Sequence, residues 1–168
     1  FGYSTLRRGL TQVLAVKGNV MGYEVHITRK TDWFDKDGEN ISLEDWKSYI
    51  SSDPEIRLDG YAEASTGNGD VLRVEDEGLA VWTAYSGHEA NGNMAWLYLG
   101  SGGIIAKNPD EEILKKMFEI AQALDARVVG DEGEEYGADG EVVTSEDAVQ
   151  SEPPLQMEPP KRPWWKLF

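Results

Sequence analysis

Two glycine-rich turns, each set between short runs rich in β-forming residues, constrain this chain more than any other feature. Tyr61–Ser65 and Val71–Glu75 flank Thr66-Gly-Asn-Gly-Asp70, and Met94–Leu99 and Ile104–Lys107 flank Gly100-Ser-Gly-Gly103. Strands joined by such short turns can only pair antiparallel, because a parallel crossover needs a dozen or more residues. Leu79–Tyr85 lies between these hairpins and is also rich in β-formers. From Leu58 to Lys107 the chain therefore reads as an antiparallel sheet.

Upstream, Tyr23-Glu-Val-His-Ile-Thr28 alternates strictly, with Tyr23, Val25 and Ile27 on one face and Glu24, His26 and Thr28 on the other. That is the period of a half-buried strand. A helix is expected near 42–52. Ser42 is its cap and Asp45 completes a capping-box arrangement, while Ile41 and Trp46 have the spacing of a hydrophobic staple. Pro54 stops it by pushing Asp53 out of the helical region. A second helix is expected near 109–124, with Asn108 as N-cap, Pro109 in the first helical position and Glu111 closing the box. Its stripe of Ile113, Leu114, Met117, Ile120, Ala121 and Leu124 faces a core. Ala126–Val129 then forms a short strand, and Gly130–Gly133 a turn. The expected fold is α+β: a single antiparallel sheet of about five or six strands with two helices packed on it.

Charge divides the 168 residues into three segments. Residues 1–20 hold Arg7, Arg8 and Lys17 and no acid, and read as an extension outside the domain. Residues 21–140 hold ten basic and 26 acidic residues, a net of −16, and form the α+β domain. Residues 141–168 begin as a linker rich in Glu, Pro, Ser and Gln and end in Lys161-Arg-Pro-Trp-Trp-Lys-Leu-Phe168. Over the whole chain the formal charge is −15, which argues against free nucleic acid as a ligand and favours a basic protein partner. The same charge also serves solubility. No cysteine is present, so disulfides, thiolate metal sites and cysteine nucleophiles are excluded. No apolar run approaches the length of about 20 residues that a membrane-spanning helix needs, and residues 1–20 lack the apolar core of a secretory signal. A cytoplasmic location is expected.

Candidate chemistry is sparse. His26, with Glu24 and Thr28 beside it, is a conceivable general base. Ser86-Gly-His88-Glu89 invites a hydrolase reading, although triad members this close in sequence rarely reach triad geometry. The acidic turns Asp35–Glu39 and Asp131–Glu135 lack the twelve-residue spacing of a calcium loop, and Gly100–Gly103 lacks the Lys-Ser or Lys-Thr of a phosphate loop. No metal ligand and no cofactor are assigned. Trp82 and Trp96, in neighbouring strands, are candidates to line a common binding surface. In the tail, Trp164, Trp165 and Phe168 sit among Lys161, Arg162 and Lys166, a composition suited to a membrane surface or a peptide receptor.

Several stretches resemble a group of small acidic bacterial proteins that has no established activity. They are Tyr23-Glu-Val-His-Ile-Thr-Arg29 followed by Trp33, Ile41-Ser-Leu-Glu-Asp-Trp46, Asp53-Pro-Glu-Ile-Arg-Leu-Asp-Gly60, Leu79-Ala-Val-Trp-Thr-Ala-Tyr85, Lys107-Asn-Pro-Asp-Glu-Glu112 and Gly130-Asp-Glu-Gly-Glu134. The likeness covers about residues 21–136. In size, charge and architecture the chain is also similar to the immunity proteins of bacterial toxin systems. Neither resemblance assigns a functional residue. Together with the charge, they set the expectation of a non-enzymatic acidic binding protein of the immunity or inhibitor kind. The alternatives are a small hydrolase-like enzyme using His26 or His88, or a scaffold tethered by its aromatic-basic tail.

Overall fold

The computed structural model describes residues 22–65, 70–89 and 94–143. The N-terminal extension, the turn at 66–69 and the tail that carries Trp164, Trp165 and Phe168 lie outside them. Among the described residues eleven elements follow in order: β1 (Glu24–Thr28), α1 (Leu43–Ser52), β2 (Ile56–Leu58), β3 (Tyr61–Ser65), β4 (Val71–Glu75), β5 (Ala80–Trp82), β6 (Ala95–Gly100), β7 (Gly103–Lys107), α2 (Glu111–Ala123), β8 (Arg127–Gly130) and β9 (Glu135–Tyr136).

The fold is α+β and its sheet is antiparallel, as expected, but larger. Seven strands pair in the order β2-β5-β6-β7-β1-β8-β9, while β3 and β4 form a separate two-stranded ribbon. The β6–β7 hairpin closes through Ser101 and Gly102, both with positive φ (53° and 77°). Two successive left-handed residues give a turn whose twist matches the strands it joins. β1 lies between β7 and β8, antiparallel to both, so its backbone is paired along both edges.

Helices cover one face of the sheet and the ribbon covers part of the other. On the helical face, Val25 and Ile27 of β1 pack with Ile104, Ala106, Leu97 and Val128 against Trp46 of α1 and Met117, Ile120 and Ala121 of α2. Ile27, Ile104, Met117 and Ile120 are fully buried, each stabilising the fold by about 1.5–3 kcal/mol through apolar transfer. On the other face, Ala62 and Val74 of the ribbon cover Leu79, Tyr98 and Ile105.

The helix ends follow local rules with one correction. Ser42 and Asp45 form the expected reciprocal capping box, each side chain accepting from the other's backbone N–H at 3.0 Å. For α2 the cap is Asp110, not Asn108: Asp110 accepts from the Ile113 N–H at 2.9 Å. Asn108 instead pairs with Tyr23, donating its N–H to the Tyr23 carbonyl and accepting the Tyr23 N–H on its side chain. Extending the ladder of β1 and β7 by one residue uses Asn108 and shifts the helix start two residues on.

Three buried or half-buried cations tie the layers together. Arg29, at the end of β1, donates to the Leu124 carbonyl at the C-terminus of α2 and to Asp45 of α1. Lys30 donates to the carbonyls of Asp35 and Ser101, holding the loop after β1 onto the β6–β7 turn. Lys116 of α2 lies 3.1 Å from Asp53 at the end of α1, 3.0 Å from Glu55 and 3.3 Å from Glu119. Burial would lower the Lys116 ammonium, but hydrogen bonds to Glu55, Asp53 and Glu119 outweigh it and hold the group above the ordinary lysine range. Burial would likewise raise the Asp53 carboxyl. The Tyr49 hydroxyl, the Glu55 N–H and Lys116 outweigh it and hold that carboxyl below the usual carboxylate range.

Lys116→Met should therefore destabilise the domain by about 3 kcal/mol in chemical denaturation, because it leaves Asp53 buried without its counter-charge. The sign of the pH dependence follows from the lowered Asp53 value. Its stabilisation is fully present above the ordinary carboxylate pKa of about 4 and is lost as the pH falls through the lowered value. The acid limb of the stability curve should be steep in the parent and flatter in Lys116→Met.

Candidate functional site

The alternation of β1 decides which of its side chains meet. Val25 and Ile27 enter the helical core, which leaves Glu24, His26 and Thr28 on the opposite face. Cross-strand register places Glu24 beside Lys107 of β7, and His26 between Ile105 of β7 and Val129 of β8. β8 ends at Gly130, and a turn closed by the Gly133 N–H on the Gly130 carbonyl (3.0 Å) carries Asp131 back over Glu24. Asp131 accepts the Glu24 N–H at 2.8 Å on Oδ2, and its Oδ1 lies 3.2 Å from His26 Nε2. Glu24 in turn accepts from the Tyr98 hydroxyl at 3.1 Å and pairs with the Lys107 ammonium at 2.9 Å.

His26 is only 2% exposed. Its cover is Trp33, which stacks on the imidazole with centroids 4.0 Å apart and planes 5° from parallel. Trp33 is delivered by the loop after β1, which Lys30 anchors at one side and which Arg127 grips through the carbonyls of Lys30 and Thr31. Burial lowers the His26 pKa below the free imidazole value, and it outweighs the hydrogen bond and charge of Asp131 and the charge of Glu24, which raise it. His26 thus gives up its proton more readily than a free imidazole, despite the two carboxylates nearby. Burial, then the charge of Glu24 and its hydrogen bond, push the Tyr98 phenol well up from its ordinary value.

On the helical side of the same sheet end, Tyr23 donates to the Tyr136 hydroxyl (3.1 Å), which donates to Glu134 (3.0 Å). Gly130 makes room for this chain, because a Cβ there would collide with the Tyr23 hydroxyl and the Glu134 carboxylate. Burial and the bond to Glu134 push the Tyr136 phenol up to about 12.

The other expected site residues lie apart. His88 belongs to the loop after β5, which is anchored to the N-terminus of α2 through Ser86 to Glu112 and Tyr85 to Asp110. Ser86 donates its hydroxyl to Glu112, so Ser86, His88 and Glu89 do not form a catalytic triad. Trp82 and Trp96 are in neighbouring strands, yet the pairing of Trp82 with Ala95 and of Val81 with Trp96 turns the two indoles to opposite faces. They line no common surface. Trp82 is a core residue that donates to Glu55 at 3.2 Å, and Trp96 packs beside Tyr98 and Ile105. In the sequence Asp131 reads only as part of an acidic turn. Its partnership with His26 spans 105 residues of sequence and has no local signature.

A groove of about 470 Å³ lies on the helical side, lined by Arg29, Asp45, Ser48, Tyr49, Ser52 and Asp125 among others. With Arg29 already bound to Glu39 and Asp45, this groove presents hydroxyls and carboxylates. Among the described residues, no helix is long and apolar enough to cross a membrane. The chain matches no protein-family model, no curated protein and no solved structure.

The balance at His26 can be measured directly. In an NMR pH titration His26 should lose its proton below the free-imidazole value of about 6.5. Trp33→Ala, which removes the ring that buries it, should raise that value by letting Asp131 and Glu24 dominate. The linkage has a definite sign. A histidine with a lowered folded pKa stabilises fully above about pH 6.5 and loses this contribution as the pH falls toward the folded value. A His26→Gln variant that still folds should lack that step.

Proposed function

We propose that this chain is a non-enzymatic binding protein of the immunity or inhibitor kind, acting in the cytoplasm, which engages a basic protein partner through its acidic surface. The observation that supports this is how the domain uses its cations. Arg29, Lys47, Arg57, Arg73, Lys107, Lys115, Lys116 and Arg127 all form ion pairs with its own carboxylates. Lys30 is buried against carbonyl oxygens. The excess acids are left facing water, and Asp32, Asp37, Glu44 and Glu132 are exposed and in no ion pair among the described residues. A surface of this kind repels nucleic acid and speeds encounter with a basic protein. Carboxylates of an inhibitor can also occupy the phosphate-binding cleft of a nucleic-acid-cleaving enzyme. A hydrolase using His26 has to bring substrate to an imidazole that Trp33 covers, and one using His88 has lost Ser86 to Glu112.

The test is recovery of partners by the tagged full chain in its native host, at low and high ionic strength. A basic protein should be retained at about 50 mM salt and released at about 500 mM, where the screening length falls to a few ångströms. The variant Asp32→Lys, Asp37→Lys, Glu44→Lys, Glu132→Lys should fail to retain it. Retention that ignores both salt and charge reversal, or the absence of any basic partner, would refute the reading.

A further inference from the structure

We propose that Glu24, His26 and Asp131 bind a single borderline divalent cation, with Zn²⁺ preferred. The inference stands apart from the binding-protein reading. One donor atom from each residue lies within 4.8 Å of the others. His26 Nε2 and Asp131 Oδ1 are 3.2 Å apart, close to the separation of about 3.3 Å expected for two ligands on one tetrahedral ion with bonds near 2.0 Å. The same pair shares a hydrogen bond, so an ion enters by replacing the Nε2 proton, and the imidazole then carries its proton on Nδ1.

Two features separate this group from an acidic surface turn. The first is a buried nitrogen donor, held in one plane by the Trp33 ring stacked on it. The second is an outer layer that orients both carboxylates. Asp131 Oδ2 is fixed by the Glu24 N–H, and Glu24 Oε1 by the Tyr98 hydroxyl and the Lys107 ammonium. Hydrogen bonds of this kind set the direction of metal-binding carboxylates. Glu24 and Asp131 are 26% and 32% exposed at their side chains, which provides an entry path and a position for water or a further ligand. Two carboxylates, Glu24 and Asp131, face the single ammonium of Lys107 at this group. A mixed nitrogen and oxygen donor set favours Zn²⁺ over Ca²⁺, Mg²⁺ and Mn²⁺, which prefer oxygen ligands.

The test is calorimetric titration of chelator-treated full-length protein with Zn²⁺, Mn²⁺ and Ca²⁺ at neutral pH. One Zn²⁺ per chain is expected. Asp131→Asn and Glu24→Gln, each checked for native circular dichroism, should weaken it at least about tenfold, whereas His88→Gln should leave it unchanged. Should either carboxylate variant misfold, the unmutated protein still decides: Zn²⁺ must shift the ring nitrogen signals of His26 in NMR. The proposal is overturned by the absence of saturable binding, by unmoved His26 signals, by full affinity in the folded carboxylate variants, by a loss that follows His88, or by Ca²⁺ binding as tightly as Zn²⁺.

Discussion

The two backbone ladders of β1 hold the rest of the molecule in place. Val25, His26 and Ile27 pair with both β7 and β8, so no edge of this strand is left to water. One face of β1 completes the helical core, and the other is closed at His26 by Trp33. A strand buried on both edges and both faces cannot shift register by a residue without turning Val25 and Ile27 out of the core. That register sets Glu24 against Lys107 and holds His26 within reach of Asp131. The polar cluster is therefore a by-product of the most constrained strand in the domain.

The cations explain how so acidic a chain stays compact. Self-repulsion among the carboxylates opposes folding, and three of the basic residues are placed where they offset it inside the structure. Arg29 joins the start of α1 to the end of α2, Lys116 joins α2 to the end of α1, and Lys30 pins the loop that carries Trp33. Exposed ion pairs of this domain add little each, whereas these buried ones add connection between layers. A cation bound internally is also removed from the surface, so the same placements that stabilise the fold leave the exterior negative.

The two readings of function use different parts of the molecule. Partner binding through charge needs only the exposed carboxylates and tolerates variation in their positions, because long-range steering depends on summed charge. Cation binding at Glu24, His26 and Asp131 depends on separations of a few ångströms and on the ring of Trp33. The chain thus combines a diffuse feature, its charge, with a local one, its buried imidazole, and each is tested without reference to the other.

Local interactions were legible in the sequence because their signals are local. The alternation in β1, the capping box of Ser42 and Asp45, the apolar stripe from Ile113 to Leu124 and the glycine-rich turn between β6 and β7 each rest on near neighbours, and each formed as its pattern implied. Where two local solutions competed, as for Asn108 and Asp110, a distant residue decided between them: Tyr23 took Asn108 into the sheet. The same holds for Trp82 and Trp96, whose separation depends on the register of β5 against β6. The sequence by itself determined the class of fold, the helices, the hairpins and the net charge, since backbone hydrogen bonding and amphipathic period act between near neighbours. Only the tertiary structure decided the strand order, the burial of His26 under Trp33 and its meeting with Asp131. Pairings across 105 residues are chosen by the packing of the whole sheet, and no short-range pattern records them.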